Sequence, residues 1–352
     1  MKKSNVVVLL LLIASTTYFL HCNHPASPVN SHIWTIDEKI MSRPQDLIVV
    51  SAKFNEKYPR TGGSNIRKLI LFDYYNLNNY KIITDSTYLP MMEKFSPDKS
   101  KIIFCDGRQY FMDGAGYMFV IYDFKSNTFQ QTSSPDYSWT VYGVEPICWN
   151  AEGTGFFYTR APGWVIAYNV RFYDITTNKS YLFSNSHINK VYPLCVINAD
   201  TIIIFSDDYT MTGQPAGFYF MGMNGNYISR INNPHLLTEY SGSWSKHFDW
   251  NKELKLLVYL EHSREPYYTG YRISVTNLDG TYYKNYTIGD YQDLHPVWGP
   301  DGKTIIFNRK IIGDDIDVSG KIMIIDCKTG MIREFITPDM IPNCLSLSYP
   351  DF

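Results

Sequence analysis

Acidic residues recur along this chain at nearly even intervals: Asp98, Glu152, Asp200, Glu253, Asp301 and Asp351, separated by 54, 48, 53, 48 and 50 residues. Each ends a similar segment, as in Phe95-Ser-Pro-Asp, Trp149-Asn-Ala-Glu, Ile197-Asn-Ala-Asp, Trp250-Asn-Lys-Glu, Trp298-Gly-Pro-Asp and Tyr349-Pro-Asp. Five of them precede an apolar run. A supersecondary unit repeating at this interval cannot bury its apolar face alone, so copies must stack, and a closed array of four-stranded sheets is the architecture that such a period specifies.

The order between successive acids is constant. A second-strand run occupies 47–50, 101–104, 155–158, 201–205, 256–260 and 304–307. A third-strand run occupies 68–72, 118–122, 170–173, 217–221, 272–276 and 321–325, and a polar turn residue follows each: Asp73, Asp123, Asp174, Asn224, Asn277 and Asp326. Weaker fourth strands complete the units. The first unit lacks an inner strand on its N-terminal side, and residues 344–349 supply one. The expectation is an all-β, six-bladed β-propeller of four-stranded blades over 46–352, its ring closed by the C-terminal strand joining the N-terminal blade. With 29 Tyr, 20 Phe and 7 Trp, the composition suits half-buried pleated surfaces, and long helical stripes are missing. A formal net charge of −2 leaves no basic excess to neutralise phosphates, so nucleic acid is not an expected partner.

Particular residues make the chain resemble a known family. Trp298-Gly-Pro-Asp-Gly-Lys followed by Ile305-Ile-Phe, together with Phe95-Ser-Pro-Asp and Asn277-Leu-Asp-Gly-Thr, is similar to the repeat of TolB-like six-bladed β-propellers. The fourth unit departs most, with Ile197 where the family repeat usually has an aromatic. This resemblance implies a periplasmic or secreted binding module and no particular ligand.

Lys2 and Lys3 precede an apolar stretch at 6–14, the pattern of a signal peptide and too short for a membrane span. Residues 1–22 are therefore expected to be a leader and 23–45 a linker. Cys22 stands where a bacterial lipoprotein carries its lipidated cysteine, and acylation there would tether an exported, cell-envelope protein to a membrane surface. The other cysteines show no framework or metal spacing, and no disulfide is expected.

An acid in a short turn accepts hydrogen bonds from nearby amides, so the recurring acids are expected to lock hairpins rather than to perform chemistry. The second-to-third-strand loops and the blade connections are long, and share the opposite face. Insertions confined to one face of a repeat array mark a binding face. Tyr137, Trp139, Trp164 and Trp244 lie in these loops, where aromatic rings suit sugars or protein hot spots. Arg160 and Arg309 end second strands near the same mouth, and His247 and His295 hold equivalent axial places three residues before a Trp. Some propeller-fold oligosaccharide lyases have a His-rich metal centre on the axis, which this chain resembles only through that histidine pair. Asp315, Asp317 and Ser319, followed by Gly320, alternate oxygen ligands as calcium loops do. No other cofactor is expected. No nucleophile elbow, zinc-protease motif or phosphate loop is present. The functional expectation is a non-enzymatic envelope propeller that binds a protein or glycan through the loop face. The alternative is an oligosaccharide lyase or hydrolase working at the channel mouth with His247, His295, Arg160 and Arg309.

Overall fold

The computed structural model describes residues 35–57, 64–85, 87–107, 118–132, 147–160, 169–183, 191–206, 216–236, 247–262, 270–288, 291–312 and 320–352. The first element is a helix inside the expected linker. α1 (Ile36–Ser42) has Thr35 as N-cap, and Thr35 and Glu38 exchange the reciprocal bonds of a capping box. Ile36 and Ile40 fall on one helical face and join the apolar cluster of Leu47, Leu69, Phe95 and Phe104. Lys39, only 6% exposed, reaches Asp73 at 2.7 Å and Asp46 at 3.7 Å. This stretch is part of the folded unit, which begins at Thr35.

Among the described residues the strands form four four-stranded antiparallel sheets and one eight-stranded sheet, which divides at a single parallel pair, Tyr271 with Gln292, into two further four-stranded antiparallel units. β1 (Leu47–Lys57), β2 (Ser64–Asp73) and β3 (Asn76–Ile82) make three strands of the first. The second contains β4 (Pro90–Phe95), β5 (Lys101–Asp106), β6 (Met118–Asp123) and β7 (Thr128–Gln131). β8 (Cys148–Trp149), β9 (Gly155–Arg160), β10 (Asn169–Asp174) and β11 (Lys179–Leu182) form the third. The fourth comprises β12 (Val191–Asn198), β13 (Thr201–Ser206), β14 (Gly217–Gly222) and β15 (Tyr227–Arg230). In the fifth are β16 (Phe248–Asn251), β17 (Leu256–His262), β18 (Tyr271–Asn277) and β19 (Tyr283–Asn285). The sixth holds β20 (Gln292–Trp298), β21 (Thr304–Lys310), β22 (Lys321–Asp326) and β23 (Ile332–Ile336). β24 (Cys344–Asp351) then pairs antiparallel with β1 and completes the first unit.

The second strands read as continuous apolar runs because both of their faces are covered by neighbouring sheets. Ile102 and Phe104 point into the cluster shared with the first unit, whereas Ile103 and Cys105 point into the cluster shared with the third. The six apolar clusters among the described residues form a cycle. Each joins two consecutive units, and one unites Ile48, Val50 and Ile70 of the first with Ile306, Ile322 and Ile324 of the sixth.

Turn chemistry differs from the expectation in an informative way. Asp301 does lock its turn, accepting from Lys303 N at 2.9 Å and Thr304 N at 3.1 Å, and Asp98 accepts from Ser100 N at 3.0 Å. In the third, fourth and fifth units an asparagine two residues earlier takes that role: Asn150 accepts from Gly155 N, Asn198 from Asp200 N and Asn251 from Glu253 N. Asp351 is not in a turn at all. The regular six-fold lock lies between third and fourth strands, where Asp73, Asp123, Asp174, Asn224, Asn277 and Asp326 all accept a backbone N–H.

Gly320 shows how tightly the terminal strand is held. Leu347 N donates to Gly320 O at 2.9 Å, and a Cβ on Gly320 would stand 2.3 Å from Leu347 O. Gly320→Ala is expected to lower stability by roughly 2–3 kcal/mol through this overpacking. Urea unfolding measures it; an unchanged midpoint would mean that β24 yields without loss.

Candidate functional site

Strand register places six residues at one level around the inner strands. Lys94, Cys148, Cys195, Asp249, Val297 and Asp351 each pair with the third residue of the apolar run beside them: Ile103, Phe157, Ile203, Val258, Ile306 and Val49. Asp351 is therefore the counterpart of Lys94, not of Asp98 or Asp301. It is 5% exposed, accepts from Lys94 Nζ at 2.6 Å and from Phe95 N at 2.7 Å, and so ties the first unit to the second. Asp249 repeats the device two units away, accepting from Trp250 N at 3.0 Å and from Trp298 N of the next unit at 2.8 Å. Burial raises Asp249 above the usual carboxylate range against the pull of Lys94. Burial draws Lys94 down, but Asp351 and Asp249 outweigh it and hold the ammonium charged. Burial also lifts the Cys148 and Cys195 thiols, which stay protonated and are poor nucleophiles.

Toward the other end of the axis three inner strands are bulged. Met92, His295 and Tyr349 have φ of 54°, 52° and 50°, each at a break in register with the adjoining second strand. A left-handed non-glycine residue costs roughly 1–2 kcal/mol, and such strain collects where side chains are aimed at a site. The bulges bring Met92, His295 and Tyr349 into the lining of a small axial cavity with His247 and Glu93. His295 Nδ1 lies 3.1 Å from His247 Nδ1, so one ring carries its proton there and the other accepts. Burial, then the neighbouring His247, pushes His295 well below the ordinary histidine range. Glu93, 1% exposed, takes a 2.6 Å bond from Ser51 Oγ on one oxygen, while Oε1 is buried without a hydrogen-bond partner. Burial pushes its carboxyl up to about 8.

A larger cavity of about 440 Å³ lies at the acidic-turn end of the inner strands. Lys94, Ile147, Leu194 and Phe248 border both cavities. Its walls include Phe95, Trp149, Trp250 and Phe352, with Asn150 and Asn198 between them. Two donors in that wall are buried without a partner, Lys99 Nζ and Trp250 Nε1. Burial pushes the Lys99 amine down to about 7, against the opposing pull of Asp351, Asp249 and Asp46.

Of the residues singled out from sequence, the structure brings His247 and His295 together. Arg309 makes a two-pronged bond to the fully buried Asp293 at 2.7 and 2.8 Å, with its guanidinium 4.4 Å from the Tyr291 ring centroid. Arg160 closes β9, pairing with Asn169, and its side chain lies outside the described residues, as do Tyr137, Trp139, Trp164, Trp244, Asp315, Asp317, Ser319 and Cys22. Glu93, Asp249, Asp351, Lys99 and Trp250 were not anticipated. Among the described residues no group of three or more His, Cys, Asp or Glu is arranged to hold a metal, and no helix is long and apolar enough to cross a membrane.

Stacked four-stranded sheets around an axis lined by their inner strands define a β-propeller. Its fold is that of the TolB-like propellers. TolB from Acinetobacter baumannii is similar with a TM-score of 0.61 and 13% identity over 87% of this chain; the chain spans 66% of that protein's length. The putative TolB from Agrobacterium tumefaciens gives a TM-score of 0.54 and 12% identity, covering 82% of this chain and 89% of its own. Kuenenia stuttgartiensis Hydrazine Synthase gives 0.57 and 14%, covering 87% of this chain and 46% of its own. At these identities the likeness is one of fold. No protein-family profile matches the chain, and no curated protein matches it.

Proposed function

We propose that this chain is an exported, cell-envelope binding propeller that takes a protein or glycan at the acidic-turn mouth of its axis, the end opposite the long-loop face expected from sequence, whose Tyr137, Trp139, Trp164 and Trp244 lie outside the described residues. One observation carries the reading: an aromatic-walled cavity of about 440 Å³ with two buried N–H donors that have no hydrogen-bond partner among the described residues. Unmatched buried donors are costly, and a ligand that supplies acceptors recovers that cost, while flat Trp and Phe walls provide contact area at low entropy. Export rests on Lys2, Lys3 and the apolar segment at 6–14, and Cys22 adds a lipid tether. Screening the mature protein against immobilised glycans and envelope proteins tests the reading, with Trp250→Ala as the control. The expected result is a ligand retained by the wild type and weakened at least tenfold by the variant. Retention of every ligand by Trp250→Ala would remove the mouth from the account.

A second reading has its own observation. Glu93, protonated near neutrality, and His295, held neutral beside His247, border one axial cavity, the combination of donor and acceptor used in general acid–base chemistry. It supports the oligosaccharide lyase or hydrolase alternative, which oligosaccharide turnover lost in Glu93→Gln would establish.

A further inference from the structure

The β4–β5 turn differs from the β8–β9 and β20–β21 turns at one backbone position; the β16–β17 turn also has a left-handed lysine, Lys255 at φ 54°, but one residue later and exposed. Lys99 N donates to Ser96 O at 2.8 Å; the matching bonds are Gly153 N to Asn150 O at 3.1 Å and Gly302 N to Gly299 O at 3.0 Å. All three residues are left-handed, with φ of 56°, 66° and 61°. Two turns meet that requirement with glycine, which adopts it freely, whereas the second unit keeps a lysine there at the expense of backbone strain. The Nζ of the retained side chain is buried. It lies 5.2 Å from the Phe95 ring centroid and 3.0 Å from that of Phe352, and it has no hydrogen-bond partner among the described residues.

Every unpartnered polar atom identified in this cavity wall is a donor. The acids nearby are already engaged: Asp351 holds Lys94 Nζ and Phe95 N, Asp249 holds two backbone N–H groups, and Asp46 pairs with Arg43 Nε at 2.8 Å. An ammonium surrounded by rings and by satisfied acids lacks a counter-charge of its own. We propose that Lys99 anchors a carboxylate, and that the mouth binds a ligand presenting this group on an apolar or aromatic body that packs on Phe95, Phe352 and Trp250. This rests on the mouth being the binding site and names the chemistry of what enters it. A carboxylate belongs equally to a free organic acid and to the end of a peptide.

Proton linkage gives a direct test. The groups facing Lys99 are Asp351, Asp249 and Asp46, and burial leaves its amine titrating near 7. An anion bound to it stabilises the charged form, so binding at pH 8 takes up close to one proton and at pH 6 takes up almost none. Calorimetric titrations in two buffers of different ionisation enthalpy read this uptake. The probes are benzoate and N-acetylphenylalanine, each against its amide. Both acids are expected to bind at least tenfold more tightly than their amides. A tighter benzoate points to a free acid and a tighter N-acetylphenylalanine to a peptide terminus, either of which supports the assignment. Lys99→Gly, which removes the amine and relieves the turn, is expected to melt no lower than the wild type while losing both binding and proton uptake. Equal binding of acids and amides, binding unchanged in Lys99→Gly, or no binding by any probe overturns the carboxylate assignment. If ligands from the protein and glycan screen still depend on Trp250 in that event, the mouth stands and only its anchor chemistry falls.

Discussion

Removing residues 345–352 will abolish cooperative folding of the whole unit instead of fraying one edge. The deletion takes the inner strand from the first sheet and exposes the long edge of β1. Leu347, 1% exposed, leaves the cluster shared by the first and sixth units, a loss of about 2 kcal/mol. Asn308 Nδ2 loses the Leu347 carbonyl at 2.7 Å. Lys94, whose side chain is 32% exposed and which still faces Asp249, loses its charge-assisted bond to Asp351, a loss of roughly 1.5–3 kcal/mol. Together these approach the roughly 5–15 kcal/mol that holds an entire domain folded. Asp351→Ala isolates the last contribution in a full-length chain. Calorimetry of both variants decides the matter: a truncated chain melting in one transition at the wild-type temperature would show that β24 is dispensable to the ring.

The strands were legible for a physical reason. Runs such as Ile305-Ile306-Phe307 are covered on both faces, so apolar residues are continuous and the pattern stands out even without alternation. Asp351 shows the limit. Pro-Asp follows Tyr349 much as Ser-Pro-Asp follows Phe95, but the left-handed bulge at Tyr349 shifts the register, and the acid lands on the axis opposite Val49. A bulge inserts one residue without leaving a compositional mark. α1 is too short for periodicity to reveal, although Thr35 and Glu38 carried a capping-box signal. The Lys99 signal was present too, in the glycines that fill its place at Gly153 and Gly302. What the sequence could not display is burial: Glu93 and the partly buried Asp249 look like ordinary polar strand residues until the inner strands converge on them.

Glu93→Gln is expected to stabilise the protein at alkaline pH and to change little in acid. Burial raises the folded-state carboxyl from its ordinary value of 4.5 to about 8. Between those values the folded chain holds a proton that the unfolded chain has released, so wild-type stability falls as pH rises through this window and reaches its full deficit above 8. Below about 4.5 both states are protonated and the deficit vanishes. Glutamine is uncharged throughout and retains an amide that can meet Ser51 Oγ, now 2.6 Å from Glu93 Oε2. Its advantage should therefore grow from near zero at acid pH to roughly 3–5 kcal/mol above pH 8, following the linkage relation for a shift of this size. Lys99 and His295 titrate in both proteins and cancel from the difference to first order. Urea unfolding of the pair at pH 5 and pH 8.5 measures it, and equal differences at the two pH values would mean that Glu93 is not held protonated on the axis. A gain at pH 8.5 accompanied by loss of a binding or turnover activity would mean that the axial cavity keeps this carboxyl at the expense of stability because its function requires a proton there.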